Sequence, residues 1–381
     1  MTLGLSFQLS GLQETLSHAV ELALRLMARE DEPFDPIASD PHSLRAQLAL
    51  RLQPEGEELP KVIAELERIL RATPATASWR FVNQLFGGRE PMAVAAEVLA
   101  TVANVSMYTF KAAGAQVLLE EELIRHMADK LGMPAAEGSF VPGGSLANLV
   151  ALLLARDALF PNARNQGMPA RRVAVYASTE SHYSVPKSLA MLGVGRQALR
   201  LIDVDTRGRM CGDALRRTLA LDQAAGIQPM AVIATAGTTV RGALDPLREI
   251  ASATREVGAW LHVDAALGGS FVLSPAHRHW LDGVADADSV SWNPHKLMGI
   301  PLQASVLFVR RRGALAASLD QTADYLFQSH GEEFNPGHRS LQCGRRNDAL
   351  KLWAAWRHLG DMGWARRIEA QVELARFAAG R

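Results

Sequence analysis

Two patterns of apolar spacing divide the chain. Residues 1–78 carry apolar side chains at helical intervals, as at Val62, Ile63, Leu66, Ile69 and Leu70. Acidic and proline-rich connections separate these helices, for example Asp31-Glu32-Pro33 and Gln53-Pro54-Glu55-Gly56. From Trp79 onward, amphipathic helices alternate with short, mainly apolar runs at 173–176, 199–202, 230–234, 259–263 and 305–309. Such runs with helices between them predict strands covered on both faces, hence a largely parallel sheet and an α/β fold. No internal repeat or low-complexity tract interrupts the pattern.

In sheets of this kind ligands bind beyond the carboxyl ends of the strands. The polar segments fall there. Ser178-Thr179-Glu180-Ser181-His182-Tyr183 follows one run, Thr235-Ala236-Gly237-Thr238-Thr239 another, and Asp264-Ala265-Ala266 a third. Several loops are thus expected to converge on one mouth.

Lys296 is the most informative residue near that mouth. It follows an Asn293-Pro294-His295 turn and precedes Leu297-Met298-Gly299-Ile300-Pro301-Leu302. A lysine among apolar residues loses solvation, which lowers its pKa and frees an amine nucleophile. Such an amine suits Schiff-base formation with a carbonyl, as in pyridoxal-phosphate enzymes. Asp264 ends a strand either as a cap on the next turn or as partner to a cationic ring nitrogen. It lies one βαβ-sized step before Lys296. Pro142-Gly143-Gly144-Ser145 opens a helix, either as a plain cap or as an anion cradle of backbone N–H groups. His182 is either a hydrogen-bonded structural residue or a ring that stacks on a flat cofactor. His277 and His279 are two residues apart, which does not place them on one helical face, and no metal site is expected.

Composition narrows the class. Forty basic and forty acidic residues cancel, which removes the electrostatic case for nucleic acid or an anionic membrane. No apolar stretch reaches the roughly 18 residues of a membrane span. The first residues lack a basic segment followed by an apolar run, so no signal peptide is expected. Cys211 and Cys343 have no metal or redox spacing, which fits reduced thiols and a cytoplasmic location.

Taken in order, these motifs resemble the group II pyridoxal-phosphate decarboxylases, on the glutamate and cysteine sulfinic acid decarboxylase branch. The matching runs are Phe81-Val82-Asn83-Gln84-Leu85, the Pro142-Gly143-Gly144-Ser145 loop, Glu180-Ser181-His182-Tyr183-Ser184 and Ala234-Thr235-Ala236-Gly237-Thr238-Thr239. They continue with His262-Val263-Asp264-Ala265-Ala266, Asn293-Pro294-His295-Lys296 and Gln342-Cys343-Gly344-Arg345. The resemblance spans residues 79–375. It implies the aminotransferase-like fold type I, with a mostly parallel, seven-stranded sheet between helices. The implied organisation is an N-terminal helical segment at 1–78, a large cofactor-binding α/β domain at 79–345, and at 346–381 the helical start of a C-terminal domain that is otherwise absent.

The resemblance further implies a homodimer acting on a small amino acid, with pyridoxal phosphate held through a Schiff base to Lys296. By the same carry-over Asp264 meets the pyridine nitrogen, His182 and Ala266 lie on either side of the ring, and Thr238 is near its substituents. Gly144, Ser145, Asn293 and His295 would surround the phosphate. Gln84, Phe86 and Ser106 would shape the substrate pocket, Phe86 and Ser106 in the manner of the cysteine sulfinate enzyme, which favours a short acidic substrate. Lys111 reverses a charge found in the family.

Two departures are expected to matter. Residues 328–341 are short and lack the tyrosine proton donor of the family loop, leaving His330 or His338 as substitutes. The chain ends at Arg381, where the family continues with a domain carrying a substrate-binding arginine. The alternatives to decarboxylation are therefore a cofactor-binding but catalytically impaired fragment or paralogue, or another reaction type such as transamination.

Overall fold

The apolar runs become strands. In the computed structural model these are β1 (Glu137–Phe140), β2 (Val173–Ser178), β3 (Leu199–Ile202), β4 (Gln228–Thr235), β5 (Trp260–Ala265), β6 (Ser289–Trp292) and β7 (Val306–Val309). They form one sheet in the order β1-β7-β6-β5-β4-β2-β3. Pairings from β3 through β6 are parallel, while β7 runs antiparallel to both β6 and β1. The expected mostly parallel, seven-stranded α/β architecture is what is observed. The structure describes residues 5–31, 40–83, 87–321 and 334–380, and the chain divides into two compact units, Met1–Asn83 and Gln84–Arg381.

Two strands carry no long apolar run, and each has a local cause. In β1, Glu137 is buried and its carboxylate accepts from the backbone N–H groups of Gly313 (3.0 Å) and Leu315 (2.8 Å), at the start of helix Ala314–Leu319. In β6, serines alternate with Val290 and Trp292, and both serine hydroxyls bond to residues of β5. All four residues of β6 are buried.

Register aligns the strand ends. Phe140 and Trp292 both face Val306, so the turns after β1 and β6 leave the sheet at the same level. Thr235 pairs with Asp264, and Asp264 with Ser291. The loops after β1, β4, β5 and β6 therefore open on one edge, as the carboxyl-end rule requires.

Helices cover both faces of the sheet. Gly144–Leu159 buries Ala147, Val150, Ala151 and Leu154 in a cluster with Leu307 and Val309 of β7. On the other side, the main core takes in Tyr176, Val232, Val263, Val290 and Trp292 together with Leu352, Trp356 and Trp364 of helix Asp348–Ala379. That helix is broken at Gly360, whose φ of +63° suits glycine alone without strain. No helix among the described residues is long and apolar enough to cross a membrane. The N-terminal unit holds helices Leu5–Ala28, Pro41–Gln47 and Leu59–Arg71, with an Arg25–Glu67 ion pair of 3.0 Å.

Candidate active site

Lys296 lies in the turn after β6, where the main chain is held from several directions. Its own N–H donates to the Asn293 carbonyl at 3.0 Å. Gln371 Nε2 donates to the Leu297 carbonyl (2.8 Å), and Arg367 donates to the Gly87 carbonyl (3.2 Å) and the Glu90 carboxylate (2.7 Å). The Glu90 N–H closes the set on the Gly299 carbonyl at 2.8 Å. Gly87 packs so tightly that a Cβ there would stand 2.3 Å from the Lys296 carbonyl oxygen, which excludes any other residue. The backbone of the turn is thus immobilised while the side chain lines a cavity of about 190 Å³. Burial lowers the Lys296 pKa, and the nearby Asp264 carboxylate partly offsets this.

Asp264, at the end of β5, is buried and accepts three hydrogen bonds. Asn148 Nδ2 donates to one oxygen (2.7 Å), and the Ala266 N–H (3.1 Å) and the Ser291 hydroxyl (3.3 Å) donate to the other. These donors orient a carboxylate at the cavity wall, where a cationic ring nitrogen would find its counter-charge. His182 lies on the same wall after β2. Burial lowers its pKa, Asp264 opposes that shift, and Lys296 and Lys187 reinforce it.

The turn after β1 supplies an anion cradle. Gly143 has φ of +91° and leads into the 16-residue helix Gly144–Leu159, whose N-terminal N–H groups and dipole favour negative charge. Gly144, Ser145, Asn293 and His295 line the cavity here. A Cβ on Gly144 would meet Asn293 Nδ2 at 2.8 Å and the Ala266 methyl at 3.5 Å. The buried Oδ1 of Asn293 and Oγ1 of Thr235 have no hydrogen-bond partner among the described residues. Burial pushes the His295 pKa down to about 4, while its Nδ1 lies 2.8 Å from the Ala304 carbonyl oxygen. An anion cradle, a carboxylate and a desolvated amine within one cavity suit a phosphorylated pyridine aldehyde. Gly144→Ala is expected to weaken pyridoxal-phosphate affinity by about 10- to 100-fold, the weight of one disturbed charge-assisted hydrogen bond. Equilibrium titration would measure this, and unchanged affinity would remove Gly144 from the cradle.

Of the expected residues, the structure brings Gly144, Ser145, His182, Asp264, Ala266, Asn293, His295 and Lys296 to this one cavity. Thr238 instead sits buried in the turn after β4, its hydroxyl accepting from the Ala243 N–H at 3.0 Å, and Gly237 and Thr239 beside it form the wall. Ser106 is engaged with the main chain of Arg345, whose N–H donates to its hydroxyl at 3.4 Å. Gln84, Phe86 and His330 lie outside the described residues. Lys111 is exposed, and His338 Nδ1 bonds to Asp320 at 2.8 Å. Asn148, Tyr183 and Thr235 also line the cavity; Tyr183 and Thr235 belong to the polar segments expected at the mouth, and Asn148 alone was not singled out in the sequence. Asn148 had a signal, being the lone polar residue in Leu146-Ala147-Asn148-Leu149-Val150, one helical turn after Gly144. No group of three or more His, Cys, Asp or Glu among the described residues could hold a metal ion.

Residues 41–380 match the pyridoxal-dependent decarboxylase conserved domain. The human cysteine sulfinic acid decarboxylase is 40% identical over 343 residues, covering 89% of this chain and 70% of that protein. The bovine acidic amino acid decarboxylase GADL1 is 35% identical over 342 residues, covering 88% of this chain and 66% of its own length. The crystal structure of mouse CSAD superposes with a TM-score of 0.93 at 37% identity, covering 99% of this chain and 79% of that one. The structure of Oryza sativa TDC with PLP and tryptamine gives a TM-score of 0.89 at 27% identity, covering 99% and 79%.

Proposed function

The chain belongs to the pyridoxal-dependent decarboxylase family, and from that premise we propose that it removes the α-carboxylate of a short acidic amino acid, with cysteine sulfinate as the preferred substrate. The single observation that carries this reading is the convergence of Lys296, Asp264 and the Gly144 cradle on one cavity. When bound, pyridoxal phosphate supplies an electron sink for the pair left behind as CO₂ departs.

The chain's own residues divide the remaining work. Lys296, whose pKa burial lowers from its ordinary value, would serve as the amine that anchors the cofactor aldehyde. Asp264 holds the ring nitrogen in its protonated form, the state in which the ring withdraws electrons best. Gly144, Ser145, Asn293 and His295 would hold the phosphate of the cofactor, and His182 and Ala266 would confine its ring. Substrate preference rests on the likeness to the cysteine sulfinate and acidic amino acid enzymes, with Gln84, Phe86 and Ser106 as the residues that shape the pocket.

The working unit is a homodimer in this reading. Helix Pro91–Ala103 supports it, because Val98, Leu99 and Val102 stand 45%, 61% and 54% exposed next to one another on one helix. Cys211 and Cys343 are free thiols, which supports a reducing, cytoplasmic setting.

The test is CO₂ release by the holoenzyme from cysteine sulfinate, aspartate and glutamate, with light scattering on the same sample. The expected outcome is a dimer with the highest kcat/KM for cysteine sulfinate. A keto-acid product without CO₂ would replace decarboxylation by transamination, and a monomer with full activity would remove the dimer.

A further inference from the structure

A buried chain of side chains runs beneath the cavity floor and has a single hydrogen-bond direction. Trp260 Nε1 lies 2.9 Å from the Ser289 hydroxyl, which lies 2.9 Å from His262 Nδ1. His262 Nε2 is 3.0 Å from Asn148 Oδ1. Asn148 Nδ2 reaches both Asp264 Oδ2 (2.7 Å) and the Ser184 hydroxyl (2.9 Å). The Ser184 hydroxyl lies 2.8 Å from His182 Nδ1, and the Ser184 backbone N–H lies 3.2 Å from the same nitrogen.

Groups that can only donate or only accept fix the direction of the whole chain. An indole N–H only donates, so the Ser289 hydroxyl receives from Trp260 and has its own proton free for His262 Nδ1. A carboxylate only accepts, so the Asn148 amide must turn Nδ2 toward Asp264 and Oδ1 toward His262. Oδ1 needs a donor, which places the His262 proton on Nε2. Full burial keeps that ring neutral by lowering its pKa to about 4, against the opposing pull of Asp264. At the far end, the Ser184 backbone N–H can only donate, so His182 Nδ1 is an acceptor. The Ser184 hydroxyl, already receiving from Asn148, donates to that same nitrogen. Every donor and acceptor along the line agrees.

We propose that Asn148 is a positioning residue that couples Asp264 to His182, holding the carboxylate as an acceptor and, through Ser184, locking the His182 ring in the tautomer with its proton on Nε2. His262 is the second link, whose neutral Nε2–H orients the Asn148 amide. The consequence for chemistry rests on the cavity being the cofactor site. There His182 would present a ring of fixed polarity, and Asp264 would keep its orientation without competing donors swinging it away.

The test is nitrogen NMR of the full chain labelled in histidine, without cofactor, with signals assigned through His182→Gln and His262→Gln. At neutral pH both rings are expected to be neutral, with unprotonated Nδ1 and protonated Nε2. In Ser184→Ala, and to a smaller extent in Asn148→Leu, the His182 tautomer ratio should shift by up to about tenfold, the weight of one hydrogen bond. Circular dichroism would establish that each variant is folded. If Asn148→Leu does not fold, Ser184→Ala and the wild-type tautomer decide the matter. A protonated Nδ1 on wild-type His182, or an unchanged ratio in the folded variants, overturns the proposal. Pyridoxal-phosphate absorbance is read separately: no cofactor uptake by the wild type would sink the decarboxylase reading and leave the tautomer result standing.

Discussion

Lys296→Ala is expected to abolish covalent retention of pyridoxal phosphate and to cut decarboxylation by about 10²- to 10⁴-fold or more, the range for removing a positioned acid–base group. Borohydride reduction followed by peptide mapping would place the cofactor on Lys296 in the wild type and on no residue in the variant. The reactive species is the free amine. Burial first, opposed by Asp264, sets the lysine pKa below its ordinary 10.5, so the amine is available at lower pH than on a surface lysine. The rate of cofactor capture should therefore rise with pH and level off at a midpoint below that ordinary value. A midpoint at or above it would mean that Asp264 outweighs desolvation. Retention of reducible cofactor by Lys296→Ala would move the anchor elsewhere.

Arg345→Met should produce the largest loss of stability. Arg345 and Glu120 form a two-pronged ion pair, with contacts of 2.8 and 2.7 Å and side chains only 3% and 4% exposed. Arg345 also donates to the Met107 carbonyl at 3.1 Å, while the Met107 N–H donates to the Arg345 carbonyl at 2.8 Å, so the pair pins the segment that carries Ser106. Removing the guanidinium strands a buried carboxylate, at a cost of about 3–5 kcal/mol. A fall in Tm of roughly 4–6 °C follows for a chain of this size. The double variant Arg345→Met with Glu120→Leu should recover most of the loss, because an apolar pair of similar volume avoids the desolvation penalty. Thermal unfolding of both variants checks this. A double variant as unstable as the single one would mean that the tie to Met107, rather than the stranded charge, sets the cost.

The sequence showed the fold wherever burial acted on whole runs of residues. Five of the seven strands appear as largely apolar segments, four of them because the sheet interior buries them on both faces, while β3 at the sheet edge carries Arg200 and an exposed Leu201. The strands β1 and β6 escaped because their buried polar groups are satisfied by partners distant in sequence, Glu137 by Gly313 and Leu315, Ser289 and Ser291 by β5. Site residues at strand ends were legible for the same topological reason that ligands bind there. Asn148 was not, because its partners Asp264 and His262 lie 116 and 114 residues further along the chain. Nor were Arg367 and Gln371, which within helix Asp348–Ala379 resemble any polar residues of an amphipathic helix. Thr238 shows the opposite limit, where a motif located the turn but not which of its side chains faces the cavity.

The clamp around Lys296 also bears on the order in which the molecule is made. Its ties join positions 74 residues apart at Gln371–Leu297 and 280 apart at Arg367–Gly87. Contacts of such sequence separation carry a large closure cost and form late in folding. During synthesis Lys296 emerges well before the helix that fastens its turn. A growing chain thus exposes the lysine as an ordinary flexible amine, and only once helix Asp348–Ala379 has been made can it be held in a desolvated, reactive setting. Reactivity toward aldehydes is in this way delayed until the fold that directs it exists.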